Sequence, residues 1–238
     1  EGSSFDDPLL SIHSTALSSI LPTVPAGTPI IKPFKPTLTS DGLRHPITKV
    51  LSKTENWADW YRQIDTRKVE GNILLSGSNQ LPLLVVNRID KGRIAQILSD
   101  NIWLWAKNPA TIATNETILK RLINWLMQEE SLEEEQLRGD IKNGSGTFTI
   151  DSLSLAPKNV EIKTPSDKII NFQVPLDKNG GFTGTFTAEE TGIYQLTYNN
   201  KKSFFFDQNL FSKELQQTLP VIPQLKTALE HNSGKLII

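Results

Sequence analysis

The side chains best equipped for chemistry fall in one stretch, Ser99-Asp100-Asn101-Ile102-Trp103-Leu104-Trp105. It follows directly on an apolar run that reads as a strand, and open α/β sheets place ligands beyond the carboxyl ends of their strands. Asp100 either caps the next turn or points into a crevice, and Asn101 stands beside it as a further ligand-binding candidate. Trp103 and Trp105 either form a stacking platform for a sugar or peptide, or close a core between sheet and helix. Trp57, Trp60 and Tyr61 make a second aromatic cluster with the same two readings. His45, in Leu43-Arg44-His45-Pro46-Ile47-Thr48, precedes a proline and is placed in an extended or turn conformation. A structural or surface role suits it better than catalysis, and it completes the set of ligand-binding candidates.

Catalytic residues in the strict sense are not expected. The chain has no cysteine, which excludes disulfides, thiolate metal sites and a cysteine nucleophile within it. Its histidines, His13, His45 and His231, stand in no recognisable Ser, Asp or Glu constellation. No glycine-rich phosphate loop, His-Glu-x-x-His helix or calcium loop is present, so neither a cofactor nor a metal is expected. A lone Asp100 is thin support for glycoside hydrolysis, which needs two carboxylates across the scissile bond.

Composition narrows the partners. A formal net charge of -1 over 238 residues leaves no excess of Lys and Arg for phosphate contacts, which argues against a nucleic-acid binder. No run approaches the roughly 18–20 apolar residues that cross a bilayer. The polar, acidic start from Glu1 to Asp7 and the missing initiator Met suggest a piece of a longer protein, with any anchor or export signal outside it.

The elements that must hold these residues change character along the chain. Of the 14 prolines, Pro8, Pro22, Pro25, Pro29, Pro33, Pro36 and Pro46 fall early and disfavour long helices or central strands there. That segment is expected to lie extended over a neighbouring domain, with Ile30, Ile31 and Phe34 packing; the other reading is a mobile linker. Asn72 to Leu75, Leu83 to Asn87 and Arg93 to Leu98 read as strands joined by hairpin turns. Residues 115–130 read as a helix capped by Asn115, with Ile118, Leu119, Leu122, Ile123, Leu126 and Met127 on one face and Trp125 packing beside it. The acidic run from Glu129 to Glu135 reads as a solvated face and a boundary. Alternation then dominates to Asp207 and indicates an antiparallel sandwich, and Glu190-Thr191-Gly192-Ile193-Tyr194 matches the tyrosine corner of immunoglobulin-like domains. Pro223 to His231 reads as a helix and Lys235 to Ile238 as a strand.

The run from Asp90 to Trp105 resembles a signature of large bacterial membrane proteins that carry a glutamine-amidotransferase-like domain, in which a Gly-Arg strand runs into Ser-Asp and a Trp-x-Trp pair. Leu119 to Met127 with the acidic run, His45-Pro46-Ile47-Thr48, and Glu230 to Ile238 are similar to the same family. The resemblance implies N-terminal membrane helices of the aerotolerance-regulator type outside this chain and a region exposed to the periplasm. It implies a partial, flavodoxin-like α/β domain over residues 1–134, then an immunoglobulin-like sandwich over 135–207 and a tail over 208–238. Amidotransferases of this class add a His-x-Glu pair to a Cys nucleophile that would precede Glu1. Ser99-Asp100-Asn101-Ile102 stands where that pair would be, without an imidazole, so glutamine hydrolysis is expected to be absent. The chain is therefore expected to be a binding or scaffolding region with an envelope protein or a glycan as partner, the alternative being a hydrolase or a cell-wall carbohydrate binder at Asp100, Trp103 and Trp105.

Overall fold

The computed structural model describes residues 4–5, 7, 9–51, 57–142, 144–177 and 181–206. The chain divides into two compact units, Glu1–Glu134 and Glu135–Ile238. The helix and strand expected beyond Pro223 lie outside the described residues.

In the first unit the proline-rich segment forms two short 3₁₀ turns and three short strands, β1 (Thr23–Pro25), β2 (Ile30–Phe34) and β3 (Thr37–Leu38). Of the three apolar residues expected to pack there, Phe34 is buried, Ile30 is half-buried and Ile31 is exposed. Next come β4 (Trp60–Gln63), β5 (Thr66–Val69), β6 (Asn72–Ser76), β7 (Pro82–Ile89) and β8 (Gly92–Ile97). β1 pairs with β5, β2 pairs with β4, and the main sheet runs β3-β6-β7-β8. Two helices follow, α1 (Trp103–Lys107) and α2 (Ile112–Leu126).

Every described strand pair of this unit is antiparallel, which overturns the flavodoxin-like α/β expectation. Parallel neighbours need a crossover of a dozen or more residues. Here residues 77–81 and 90–91 turn the chain straight back, with Asp90 at φ 52°. Strand accounts for 42% of the described residues and helix for 18%, so the architecture is all-β with helices added and not an alternation of strand and helix.

β7 supplies the most buried run, Leu83 to Val86. The core on one side of the main sheet is aromatic: Trp57, Trp60, Trp105 and Trp125 join Ile47, Leu74, Leu84, Ile118 and Leu122. α2 starts three residues earlier than its sequence suggests, so Asn115 is a buried helix residue and not a cap. Its inward face is Ile118, Leu122 and Trp125, while Ile123 and Met127 are exposed. Gln63 is fully buried and ties β4 to the β6–β7 turn. Its amide donates to Leu81 O and Pro82 O and accepts from Ser78 N.

The second unit is a β-sandwich. One sheet contains β9 (Gln136–Lys142), β10 (Ser145–Asp151) and β13 (Phe182–Thr187), in the order β13-β10-β9. The other contains β11 (Lys158–Lys163), β12 (Ile169–Val174), β14 (Ile193–Tyr198) and β15 (Lys201–Phe206), in the order β12-β11-β14-β15. Phe148, Ile150, Phe182 and Phe186 from the first meet Val160, Ile162, Tyr194 and Leu196 from the second in one core. The register sets Phe148 opposite Gly184 and Phe186 opposite Gly146. A Cβ on Gly184 would lie 2.2 Å from the Phe148 ring, so glycine leaves the space that the ring fills.

Two hydroxyls close this unit. Tyr194 donates to Glu190 O at 2.8 Å and accepts from Glu190 N at 2.9 Å, tying down the entry to β14. Tyr198 donates to Glu135 Oε2 at 2.8 Å, and burial together with that carboxylate pushes its phenol up to about 12. Tyr194→Phe removes both corner bonds and keeps the ring. It is expected to cost about 1–3 kcal/mol in urea denaturation followed by a probe of the sandwich, and an unchanged midpoint would show that the corner contributes nothing.

Candidate functional site

The five candidate residues split into three structural situations. Asp100 and Asn101 form the turn that sews the end of β8 to β4. Ser99 Oγ donates to Arg62 O at 2.6 Å and accepts from Asn101 N at 3.1 Å. Asn101 Oδ1 accepts from Tyr61 N at 2.9 Å, and its Nδ2 donates to Asp100 Oδ1 at 2.9 Å. Asp100 Oδ2 lies 3.3 Å from Arg62 Nη1. Among the described residues, the charged group that Asp100 meets is this guanidinium.

The two tryptophans do not make one platform. Trp105 is fully buried, with its ring 4.7 Å from Trp57 and 5.0 Å from Trp60 and its indole N–H donating to Ala58 O at 3.1 Å. Trp103 is 48% exposed, with Lys107 Nζ 4.6 Å from its ring. Behind Trp105 the space between sheet and helices is packed: Trp60, Leu84, Ile97, Ile102, Trp105 and Ile118 are among the residues surrounding a void of about 10 Å³. That is room for one water at most, and an apolar void of this size stays dry.

His45 occupies the third situation, and here the fold reveals what the sequence did not. It is fully buried beside Trp125, ring to ring at 5.7 Å. Its Nδ1 accepts from Ile47 N at 3.2 Å, which leaves the ring proton on Nε2, 3.3 Å from Glu134 Oε1. The approach is bent away from ideal hydrogen-bond geometry, so the contact is mainly electrostatic. Glu134 also accepts from Trp125 Nε1 at 2.9 Å and from the Arg88 guanidinium through both oxygens. Arg88 reaches Glu133 as well, at 2.9 Å, while Arg93 bonds Glu133 and donates to Trp125 O at 2.6 Å. The end of the acidic run is thus folded into the first unit, correcting the expectation of a solvated face. A run of seven residues with five carboxylates gives no sign of which two find cations in the fold.

Burial pushes the Glu134 carboxyl up, but the His45 and Arg88 N–H groups outweigh it and hold it well below the usual carboxylate range. An imidazole beside a carboxylate is also the base and its orienter in nucleophilic catalysis. Here the pair lacks the geometry for it: Nδ1 is occupied by a backbone amide, Nε2 faces the carboxylate, and the ring is out of solvent. No group of three or more His, Cys, Asp or Glu side chains that would hold a metal occurs among the described residues. An open groove of about 310 Å³ is lined by Phe5, His13, Val24, Gly27 and Arg67, with Asp7 as its carboxylate. Asp7 is occupied in capping the backbone amides of Leu9 and Leu10.

These roles separate by mutation. Trp105→Ala should destabilise the first unit by about 3–5 kcal/mol, as removal of a fully packed aromatic does, whereas Trp103→Ala should cost less than about 1 kcal/mol. Equal losses in denaturant titrations would contradict the division into core and surface rings. Glu134 gives a pH signature. Its folded pKa lies below the unfolded value of 4.5, so its contribution is full above that value and is lost as the pH falls toward the folded one. Glu134→Gln should lower stability at neutral pH by roughly 2–4 kcal/mol and flatten the decline below about pH 4.5. An acid slope equal to that of the parent would refute the assignment.

Comparison of the chain with protein-family models, with curated proteins and with solved structures finds no match in any of the three, so the functional reading rests on these residues and their geometry.

Proposed function

We propose that the chain is a non-catalytic binding and scaffolding region of a bacterial envelope protein. The observation that carries this reading is the packed space behind Trp105, where a catalytic crevice would have to open. Asp100 points the same way: its carboxylate holds a turn together, with a guanidinium and an amide as its neighbours. The resemblance of Asp90 to Trp105 to the envelope family favours a periplasmic setting. No helix among the described residues is long and apolar enough to cross a membrane.

The second unit reads as immunoglobulin-like. Its three- and four-stranded antiparallel sheets, the chain crossing between them after β10, β12 and β13, and the Tyr194 corner are the features that support this. Domains of that kind serve as spacers and docking modules more often through their surfaces than through a cleft, which suits a scaffolding role.

The test is turnover. The purified chain, incubated with glutamine, with peptidoglycan and with chromogenic glycosides, is expected to release no product above a heat-denatured control. Product release that disappears in Asp100→Asn would overturn the non-catalytic reading.

A further inference from the structure

We infer that the rim built from Tyr61, Arg62, Asp100, Asn101 and Trp103 binds a pyranose glycan. This rests on the non-catalytic binding role proposed above and names its ligand class. Two large rings stay half in water at this rim, Tyr61 at 51% and Trp103 at 48% exposure, although Trp57, Trp60, Trp105 and Trp125 are all buried in the same unit. The chain segments that carry the two rings are joined by the bonds between β4 and the turn after β8. Tyr61 N donates to Asn101, two residues before Trp103, and Arg62 O accepts from Ser99.

The same strand and turn carry polar groups whose capacity is only partly used. The Asp100 carboxylate has about four lone-pair sites, and its two described partners, Arg62 and Asn101, take one each. Arg62 donates one of its five N–H groups to Asp100, and Asn101 retains one N–H of its amide after bonding Asp100. Acceptors and donors therefore stand side by side, fixed by internal bonds before any ligand arrives, which reduces the ordering cost of binding.

Vicinal hydroxyls of a sugar both donate and accept, so they match such a row. The C–H faces of a pyranose are flat and apolar, so they match exposed rings. The charge pattern offers little to a polyanion. Arg62 and Asp100 neutralise each other, which leaves Lys107, over Trp103, as a single cation beside the Asp100 carboxylate.

The experiment titrates the full chain with soluble oligomers of β-1,4-linked N-acetylglucosamine and of α-1,4-linked glucose. It reads tryptophan fluorescence and analyses the oligomers afterwards. Saturable binding to at least one oligomer is expected, with a Kd on the order of 0.1–1 mM for a shallow site. Trp103→Ala should weaken it about tenfold, Trp103→Tyr should restore most of the loss, and thermal unfolding should stay unchanged. Tyr61→Ala keeps the backbone amide bond to Asn101 and gives the same test independently of Trp103. Absence of saturation up to about 10 mM, or parental affinity in both alanine variants, would overturn the site and leave the non-catalytic reading standing. Shortened oligomers that vanish with Asp100→Asn would support the glycan site and overturn that reading.

Discussion

A carboxylate removed from water must be met by donors on several sides, or it drives its surroundings apart. Glu134 imposes that condition on the first unit. Its partners come from separate parts of the chain: Trp125 from the end of α2, Arg88 from β7, and His45 from the turn that precedes Ile47. Each of these must reach the same few ångströms, so the helix, the sheet and the 41–51 segment are fixed relative to one another. Arg93 of β8 adds a second tie through Glu133 and the Trp125 carbonyl, with its guanidinium 5.1 Å from the Trp125 ring. Buried ion pairs contribute little net stability but strongly disfavour arrangements that leave one partner alone. The network therefore acts on which packing is allowed more than on how stable it is.

With α2 held in that position, the space between it and the main sheet has one filling. Trp57, Trp60 and Trp105 pack ring against ring, and Ile118 and Leu122 close the other side. The same helix placement carries α1, so Trp105 goes inward while Trp103, two residues earlier, stays at the surface. The fate of the candidate residues is thus decided at Glu134, a residue with no contact to Asp100. Tyr61 and Trp103 stay at the surface near the polar turn at 99–101.

Much of this was legible from local chemistry and some of it was not. Turn residues at Gly77-Ser78-Asn79 and Asp90-Lys91-Gly92 marked hairpins, and hairpins are antiparallel; an α/β sheet conflicts with connections that short. The resemblance to an enzyme family pulled the fold class away from what those turns specified. Alternation in residues 136–206 marked the sandwich strands, because a half-buried strand repeats every second residue. The helix pattern was readable but its rotation was not: Leu119, Ile123 and Met127 share spacing with Ile118 and Leu122, and only the sheet it meets decides that Trp125 takes the inward side. Glu133 and Glu134 were indistinguishable from their neighbours, since the cations that select them lie about forty residues away in sequence.

The bonds that hold Asp100 in its turn also suit it to the recognition role proposed above. A carboxylate beside a guanidinium and an amide N–H is held in one orientation. Rigidity of that sort serves a ligand that needs acceptors at fixed positions and undergoes no bond change. The rim inherits it from the fold: Ser99 and Asn101 lock the turn to the backbone of β4, so the polar row stands on a sheet and not on a free loop. A binding surface of this kind requires no cavity, which is consistent with a core packed to within the volume of one water molecule.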